Sequence, residues 1–144
     1  MGDCINVSGT TTEFNGGTEI VSVSALSLAS ACGAMPVPAA IELSSVATDT
    51  DPLTAGDTAG ADAEVFEGVL VTVTQVFVAS EPTADGSYRV SPSDNPLLTL
   101  LVTGFLGGGA AATFGQSFVA ITGVVGQYGT FRIQPRTAAD TVSF

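Results

Sequence analysis

The sequence contains no histidine, no lysine and no tryptophan, and only three of its 144 residues are basic. Histidine is the commonest general base and the commonest transition-metal ligand, so its absence excludes Ser-His-Asp and Cys-His catalysis. Against 14 acidic residues, the three arginines leave a formal net charge of -11. This charge favours solubility and disfavours polyanionic partners such as nucleic acids.

Long helical patterns of apolar residues are also missing. The sequence instead has 17 glycines, 7 prolines and many valines and threonines, which is typical of short strands joined by turns. Its length of 144 residues suits one sizeable core rather than two domains. We therefore predict an all-β fold. Residues 95–130 carry no charge, but glycines interrupt them and the apolar residues are strand formers, so no membrane span is predicted.

The stretch 115–141 has the clearest strand pattern in the chain. An alternating apolar run at 118–121 is followed by Gly123, which predicts a turn, and then by a second run that ends at Ile133. This order predicts the hairpin that closes a barrel.

A shorter version of the same pattern lies near the N-terminus, where turns are predicted at Gly9 and at 15–17. VAITG at 119–123 aligns with INVSG at 5–9, Tyr128 aligns with Phe14, and Ile133 aligns with Ile20 after one inserted residue. The chain is therefore predicted to hold two copies of one closing hairpin.

We predict three parts: an N-terminal β-ribbon at 1–35, an acidic linker rich in Pro, Gly and Asp at 36–63 with a short strand at 40–43, and a barrel at 64–144. The first three barrel strands are predicted at 68–78, 87–90 and 97–102, and the closing hairpin supplies the last two. The apolar phase slips near Gln75 and again between Val23 and Leu26, as it does at a β-bulge.

The two cysteines, Cys4 and Cys32, can form a disulfide or remain as two buried thiols. Closing this loop would contribute roughly 3–4 kcal/mol through chain entropy. The even cysteine count, the absence of lysine and the many serines and threonines favour an exported, extracellular or cell-surface protein.

Four aspartates in the linker, Asp49, Asp51, Asp57 and Asp62, offer the oxygen ligands that Ca²⁺ prefers. Their spacing does not match an EF-hand loop, and a solvated acidic loop is the other interpretation. No other cofactor is predicted.

Several motifs resemble the OB-fold modules found beside the catalytic domains of bacterial secreted nucleases and in large surface proteins. They are FEGVLV at 66–71, GQSF at 115–118, ITGVV at 121–125, and YG at 128–129 followed by RIQPRTAAD at 132–140. The N-terminal residues 2–20 resemble the end of a preceding module in such tandem arrays. The resemblance implies a five-stranded OB-like barrel with an accessory role, and the chain contains no recognisable nuclease domain.

These observations favour a non-catalytic module of a secreted or cell-surface protein, which is structural or binds a partner. The partners would be other domains of a larger protein or copies of the chain itself. A self-assembling filament subunit is the first alternative, because the ribbon must cover its apolar face and pair its edges.

A carboxylate-only hydrolase would need two acids across a cleft, and the sequence alone does not place Glu67 relative to Asp85.

A single-stranded nucleic-acid-binding accessory domain is the second alternative, although the net charge disfavours it. The aromatic candidates also fit a core role, and Arg136 is predicted to pair with Asp140. The candidate ligand-binding residues are Tyr88, Arg89, Tyr128, Phe131, Arg132 and Arg136.

Overall fold

The computed structural model describes residues 4–49, 63–92, 95–104, 106 and 111–144. These residues form short 3-10 turns at Leu43–Ser45, Ala63–Phe66 and Ala138–Asp140 and the following strands: β1 (Ile5–Phe14), β2 (Gly17–Leu28), β3 (Ala39–Ala40), β4 (Thr48–Asp49), β5 (Leu70–Val78), β6 (Tyr88–Pro92), β7 (Leu98–Val102), β8 (Ser117–Tyr128), β9 (Thr130–Gln134) and β10 (Thr141–Ser143). None of the described helices is long and apolar enough to cross a membrane.

Five strands close into a barrel in the order β5, β6, β7, β9, β8 and back to β5. Neighbouring strands are antiparallel except β7 and β9, which run parallel. The predicted all-β fold with a five-stranded OB-like barrel and a separate N-terminal ribbon is confirmed.

The core of the barrel consists mainly of β-branched side chains, together with Leu100 and the aromatic Tyr88, Phe118 and Phe131. Along β5, Val71 and Val73 are buried, and the buried positions then shift to Val76 and Val78. The predicted phase slip at Gln75 is thus confirmed, and Gln75 takes a positive φ of 54°. In the neighbouring strand β8 the buried positions shift at the same level, from Phe118 to Ile121. The two strands keep one register on both sides of the irregularity, so both shift together.

Part of the segment predicted as a linker packs onto the barrel. β3 pairs in parallel with β5, and β4 pairs antiparallel with β7. The strand predicted at 40–43 is shorter and earlier, at Ala39–Ala40, and a 3-10 turn follows it. The three-residue spacing of Leu43 and Val46 places both on one side of such a turn, and both are buried in the core.

The turns predicted at Gly9 and Gly123 are wrong, since β1 and β8 run straight through them. A Cβ on Gly123 would lie 2.7 Å from the carbonyl carbon of Gln134, and a Cβ on Gly9 would lie 2.6 Å from Ile20 Cγ2. Both glycines permit a close approach of the neighbouring strand. The turn predicted at 15–17 is present, at Asn15 and Gly16 with φ of 53° and 85°, and the barrel hairpin turns at Gly129, with φ of 70°.

The N-terminal ribbon is the two-stranded sheet of β1 and β2. Its register shifts between Ser8 and Thr10, where Ser22 takes a φ of 49°. This confirms the irregularity that the apolar phase predicted in β2. The ribbon exposes most of its apolar side chains: Ile5, Val7, Phe14, Ile20, Val23, Leu26 and Leu28.

Candidate functional site

The ribbon and the hairpin that closes the barrel have the same cross-strand register. In the barrel, successive pairs run from Val124 opposite Gln134 to Tyr128 opposite Thr130. In the ribbon, the aligned pairs run from Thr10 opposite Val21 to Phe14 opposite Gly17. The residue inserted in the alignment is accounted for by the turns, which contain Asn15 and Gly16 in the ribbon and only Gly129 in the barrel.

The equivalence continues beyond the part that the sequence alignment covers. In the barrel, β10 lies beside β8 and places Thr141 opposite Ile121. In the ribbon, the far half of β2 places Leu26 opposite Val7, the residue that aligns with Ile121. The ribbon therefore reproduces the arrangement of β8, β9 and β10 together, with a bulge in β2 where the barrel has the connection from β9 to β10.

The two copies differ in what covers them. Ile121 and Ile133 are 0% exposed in the barrel, whereas their equivalents Val7 and Ile20 are 39% and 54% exposed in the ribbon. In the barrel, β5 pairs with β8 and β7 pairs with β9, which covers these positions. No strand of the described chain pairs with the corresponding edges of β1 and β2.

We call the face of the ribbon that carries Val7, Thr11 and Ile20 the core-like face. Gly9 belongs to it, because a Cβ at this position would lie against Ile20. Sequence reasoning did not name these residues as a site. The signal that identifies them is the internal alignment, which equates Val7 with Ile121 and Ile20 with Ile133.

The two hairpins touch at their tips. The rings of Phe14 and Tyr128, which are equivalent in the alignment, have centroids 6.1 Å apart. The Gly129 N–H donates to the Asn15 carbonyl oxygen at 2.7 Å, and the Thr18 N–H donates to Glu67 Oε1 at 3.1 Å. These contacts hold the ribbon on the barrel at one end, where Thr11 and Ile20 line a groove that the barrel shares, and they leave Val7 and Ile20 exposed.

The other end of the ribbon is closed by the disulfide between Cys4 and Cys32, whose Cα atoms are 5.5 Å apart. The predicted disulfide is thus present. An isolated two-stranded ribbon is marginally stable in water, so a covalent link is well placed to maintain it.

Two of the aromatic residues proposed for nucleic-acid stacking belong to the core. Tyr88 is buried and stacks on Phe118, with ring centroids 6.2 Å apart, and burial raises the pKa of Tyr88 to about 12. Phe131 is also buried. Both placements agree with the core role that the sequence analysis weighed for them. Tyr128 is exposed at the tip of the β8–β9 hairpin.

The three arginines do not converge on one surface feature. Arg89 Nη1 donates to Thr99 Oγ1 at 3.0 Å. Arg136 forms the predicted ion pair with Asp140, at 2.8 Å, and this hydrogen bond raises the pKa of Arg136. Arg132 lies over the Tyr128 ring, 5.3 Å from its centroid, and donates from Nη2 to the Tyr128 carbonyl oxygen at 2.6 Å.

Of the four aspartates considered for calcium, Asp51, Asp57 and Asp62 lie outside the described residues, and Asp49 contributes its backbone to β4. Within the described chain, no group of three or more potential metal-ligating side chains is present. The two acids considered for hydrolysis lie in different grooves, Glu67 beside the ribbon tip and Asp85 beside Arg132.

A comparison with protein-family models, curated proteins and solved structures found no match to this chain. Its function is therefore inferred from its own residues and their geometry.

Proposed function

We propose that the chain is a non-catalytic β-barrel module of a secreted or cell-surface protein, and that it binds a partner through the core-like face of its ribbon. One observation carries this proposal: the ribbon has the register of a barrel-closing hairpin, but its core-equivalent residues Val7 and Ile20 are exposed.

The closed barrel of the same chain indicates what kind of partner would fit. There, β5 adds to the edge of β8 in antiparallel pairing, and β7 adds to the edge of β9 in parallel pairing. A partner that presents three strands like β5, β6 and β7 would complete a second barrel around the ribbon. Main-chain pairing would supply affinity, and the burial of Val7 and Ile20 would supply specificity.

Export and the accessory role have separate support. The disulfide suits an oxidising compartment, and the sequence lacks the histidine that most hydrolytic sites use. The resemblance to modules that accompany secreted nucleases favours an accessory role beside an enzyme carried elsewhere.

The test uses the full chain and a polypeptide of residues 64–104, which contains β5, β6 and β7 without a closing hairpin, carried on a soluble fusion partner. We expect binding, measured by calorimetry, to the wild-type chain. Val7→Glu should abolish it, because the charge would be buried at the new interface. Asn6→Glu is the matched control: it adds the same charge on the opposite face of β1, so binding should persist.

Equal binding by both variants, or no binding by the wild type, would contradict this proposal. Size-exclusion chromatography with light scattering examines the self-assembly alternative in the same samples. Oligomers that Val7→Glu dissolves and Asn6→Glu leaves intact would indicate that the ribbon binds a second copy instead.

The nucleic-acid alternative has less support from the geometry. Tyr88 and Phe131 are buried, and Arg136 is paired with Asp140. A titration with single-stranded oligonucleotides at low salt checks it, since phosphate contacts are strongest there.

A further inference from the structure

A groove of about 480 Å³ opens beside the loop between β5 and β6, at the end of β7 and next to β9. This volume lies within the range of small-molecule sites. It is distant in sequence from the ribbon and takes no part in the proposed partner binding. The groove is lined by Thr83, Asp85, Ser87, Leu101, Thr103, Gly104 and Arg132.

Two polar atoms of this lining are buried without a hydrogen-bond partner among the described residues. They are Thr103 Oγ1 and Arg132 Nε, and Thr103 as a whole is only 6% exposed. Buried polar groups in folded proteins nearly always have a partner, so an orphaned pair in one groove requires an explanation. Both groups carry a hydrogen atom that no described residue accepts.

The charged groups of the groove constrain the ligand. Arg132 forms no ion pair with a carboxylate of the described chain. Asp85 accepts hydrogen bonds from the Thr83 hydroxyl and from the backbone and hydroxyl of Ser87, which lower the pKa of Asp85 and keep it ionised at neutral pH. One cation and one anion make the groove formally neutral, and the net charge of -11 disfavours an anionic ligand.

We propose that this groove binds a neutral saccharide. Sugar hydroxyls both donate and accept: they would accept from Arg132 Nε and Thr103 Oγ1 and donate to the carboxylate of Asp85. Leu101 and the Cβ-free Gly104 offer an apolar wall for the C–H face of a sugar ring. A purely anionic ligand would be repelled by the carboxylate of Asp85, and a purely apolar one would leave both buried donors unpaired.

The test is a nitrogen-15 NMR titration of the full chain with glucose, galactose, mannose and N-acetylglucosamine and their methyl glycosides. At least one sugar should bind with a Kd of about 1 mM, which a titration to about 20 mM would saturate. The Arg132 Nε–H resonance should shift because this group gains an acceptor. The backbone amide resonances of Ser87 and Thr103 should shift with it, because both residues line the groove.

Two variants sharpen the assignment. Thr103→Val keeps the shape of the side chain, removes the orphaned hydroxyl and should weaken binding by at least about five-fold. Arg132→Lys keeps the charge and removes the Nε–H, and should weaken it as well. Ser91→Ala is the control, because Ser91 Oγ is also buried without a partner but does not line the groove.

The proposal is overturned if no sugar shifts these resonances at about 20 mM, or if Thr103→Val and Arg132→Lys both bind as the wild type does. It is also overturned if acetate or phosphate produces the same shifts at lower concentration, because the groove would then be an anion site. Loss of binding in Ser91→Ala would likewise count against it.

Discussion

The ribbon and the β8–β9 hairpin show one backbone arrangement in two environments. In both, a glycine faces an isoleucine across the strands, Gly9 against Ile20 and Gly123 against Ile133. The barrel hairpin is covered by β5 and β7, whereas the ribbon is clamped by a disulfide. Register and turn therefore follow from local sequence, whereas the source of stability depends on what surrounds the hairpin.

The largest expected effect is the difference in stability between variants of the two equivalent isoleucines, Ile133 and Ile20. Ile133→Ala removes a fully buried side chain and should lower the free energy of unfolding by about 2–5 kcal/mol. Ile20→Ala changes a half-exposed equivalent and should cost less than about 0.5 kcal/mol. Urea denaturation followed by tyrosine fluorescence measures both. Similar losses in the two variants would mean that the ribbon is already buried in solution, for example in an oligomer.

The sequence predicts the repeat well because register depends on neighbouring residues. The glycines, the turn positions and the aligned isoleucines are all local features, and they identify the closing hairpin and its copy. The same pattern wrongly predicts turns at Gly9 and Gly123, since a glycine that permits close packing is indistinguishable in sequence from one that permits a turn.

What the sequence could not show depends on contacts between distant residues. The burial of Leu43 and Val46 under the barrel depends on the pairing of β3 and β4 with strands far along the chain. The groove likewise joins Asp85, Thr103 and Arg132, which come together only when both β6 and β9 pair with β7. The sequence singles out Arg132 as a candidate ligand-binding residue and Asp85 as a candidate acid, but it does not place the two together.

The second expected effect concerns the disulfide between Cys4 and Cys32, which closes the ribbon. Replacing both cysteines, Cys4→Ser with Cys32→Ser, should destabilise the ribbon by up to about 3 kcal/mol, because the open two-stranded ribbon is marginal. Hydrogen exchange should then show loss of protection in β1 and β2 and unchanged protection in β5 and β8. The disulfide-intact wild type is the reference. Loss of protection throughout the barrel would show that the ribbon supports the barrel rather than projecting from it.

The third effect concerns the paired glycines. Gly123→Ala forces a methyl group against the backbone of Gln134 and should lower the free energy of unfolding by about 1–3 kcal/mol. Gly9→Ala meets the equivalent obstruction at Ile20 and Val21, but we expect its effect to stay within the ribbon. Chemical denaturation reports the first change, and amide exchange in β1 and β2 reports the second. If Gly123→Ala were harmless, the close approach in the barrel would not constrain that residue.

The smallest effect concerns the connection from β9 to β10, where Arg136 pairs with Asp140 and where the ribbon has only the bulge in β2. Hydrogen bonds from the Arg136 guanidinium, followed by those from the backbone N–H groups of Arg136 and Thr137, lower the pKa of Asp140, and partial burial opposes them only in part. The folded-state pKa therefore lies below the unfolded value of about 3.9. Stabilisation is then complete above that value and is lost as the pH falls through the folded-state pKa.

Asp140→Asn should accordingly be less stable than the wild type by about 1 kcal/mol at neutral pH, because the ion pair and the backbone hydrogen bonds of the carboxylate weaken. The difference should close in acid, where the wild-type carboxyl is itself protonated. Urea denaturation of both proteins across the acidic range measures the gap. Arg136→Gln should reproduce most of the loss, since Arg136 makes the largest contribution to the shift. A gap that stays constant with pH would assign the loss to packing rather than to the charge of the Asp140 carboxylate.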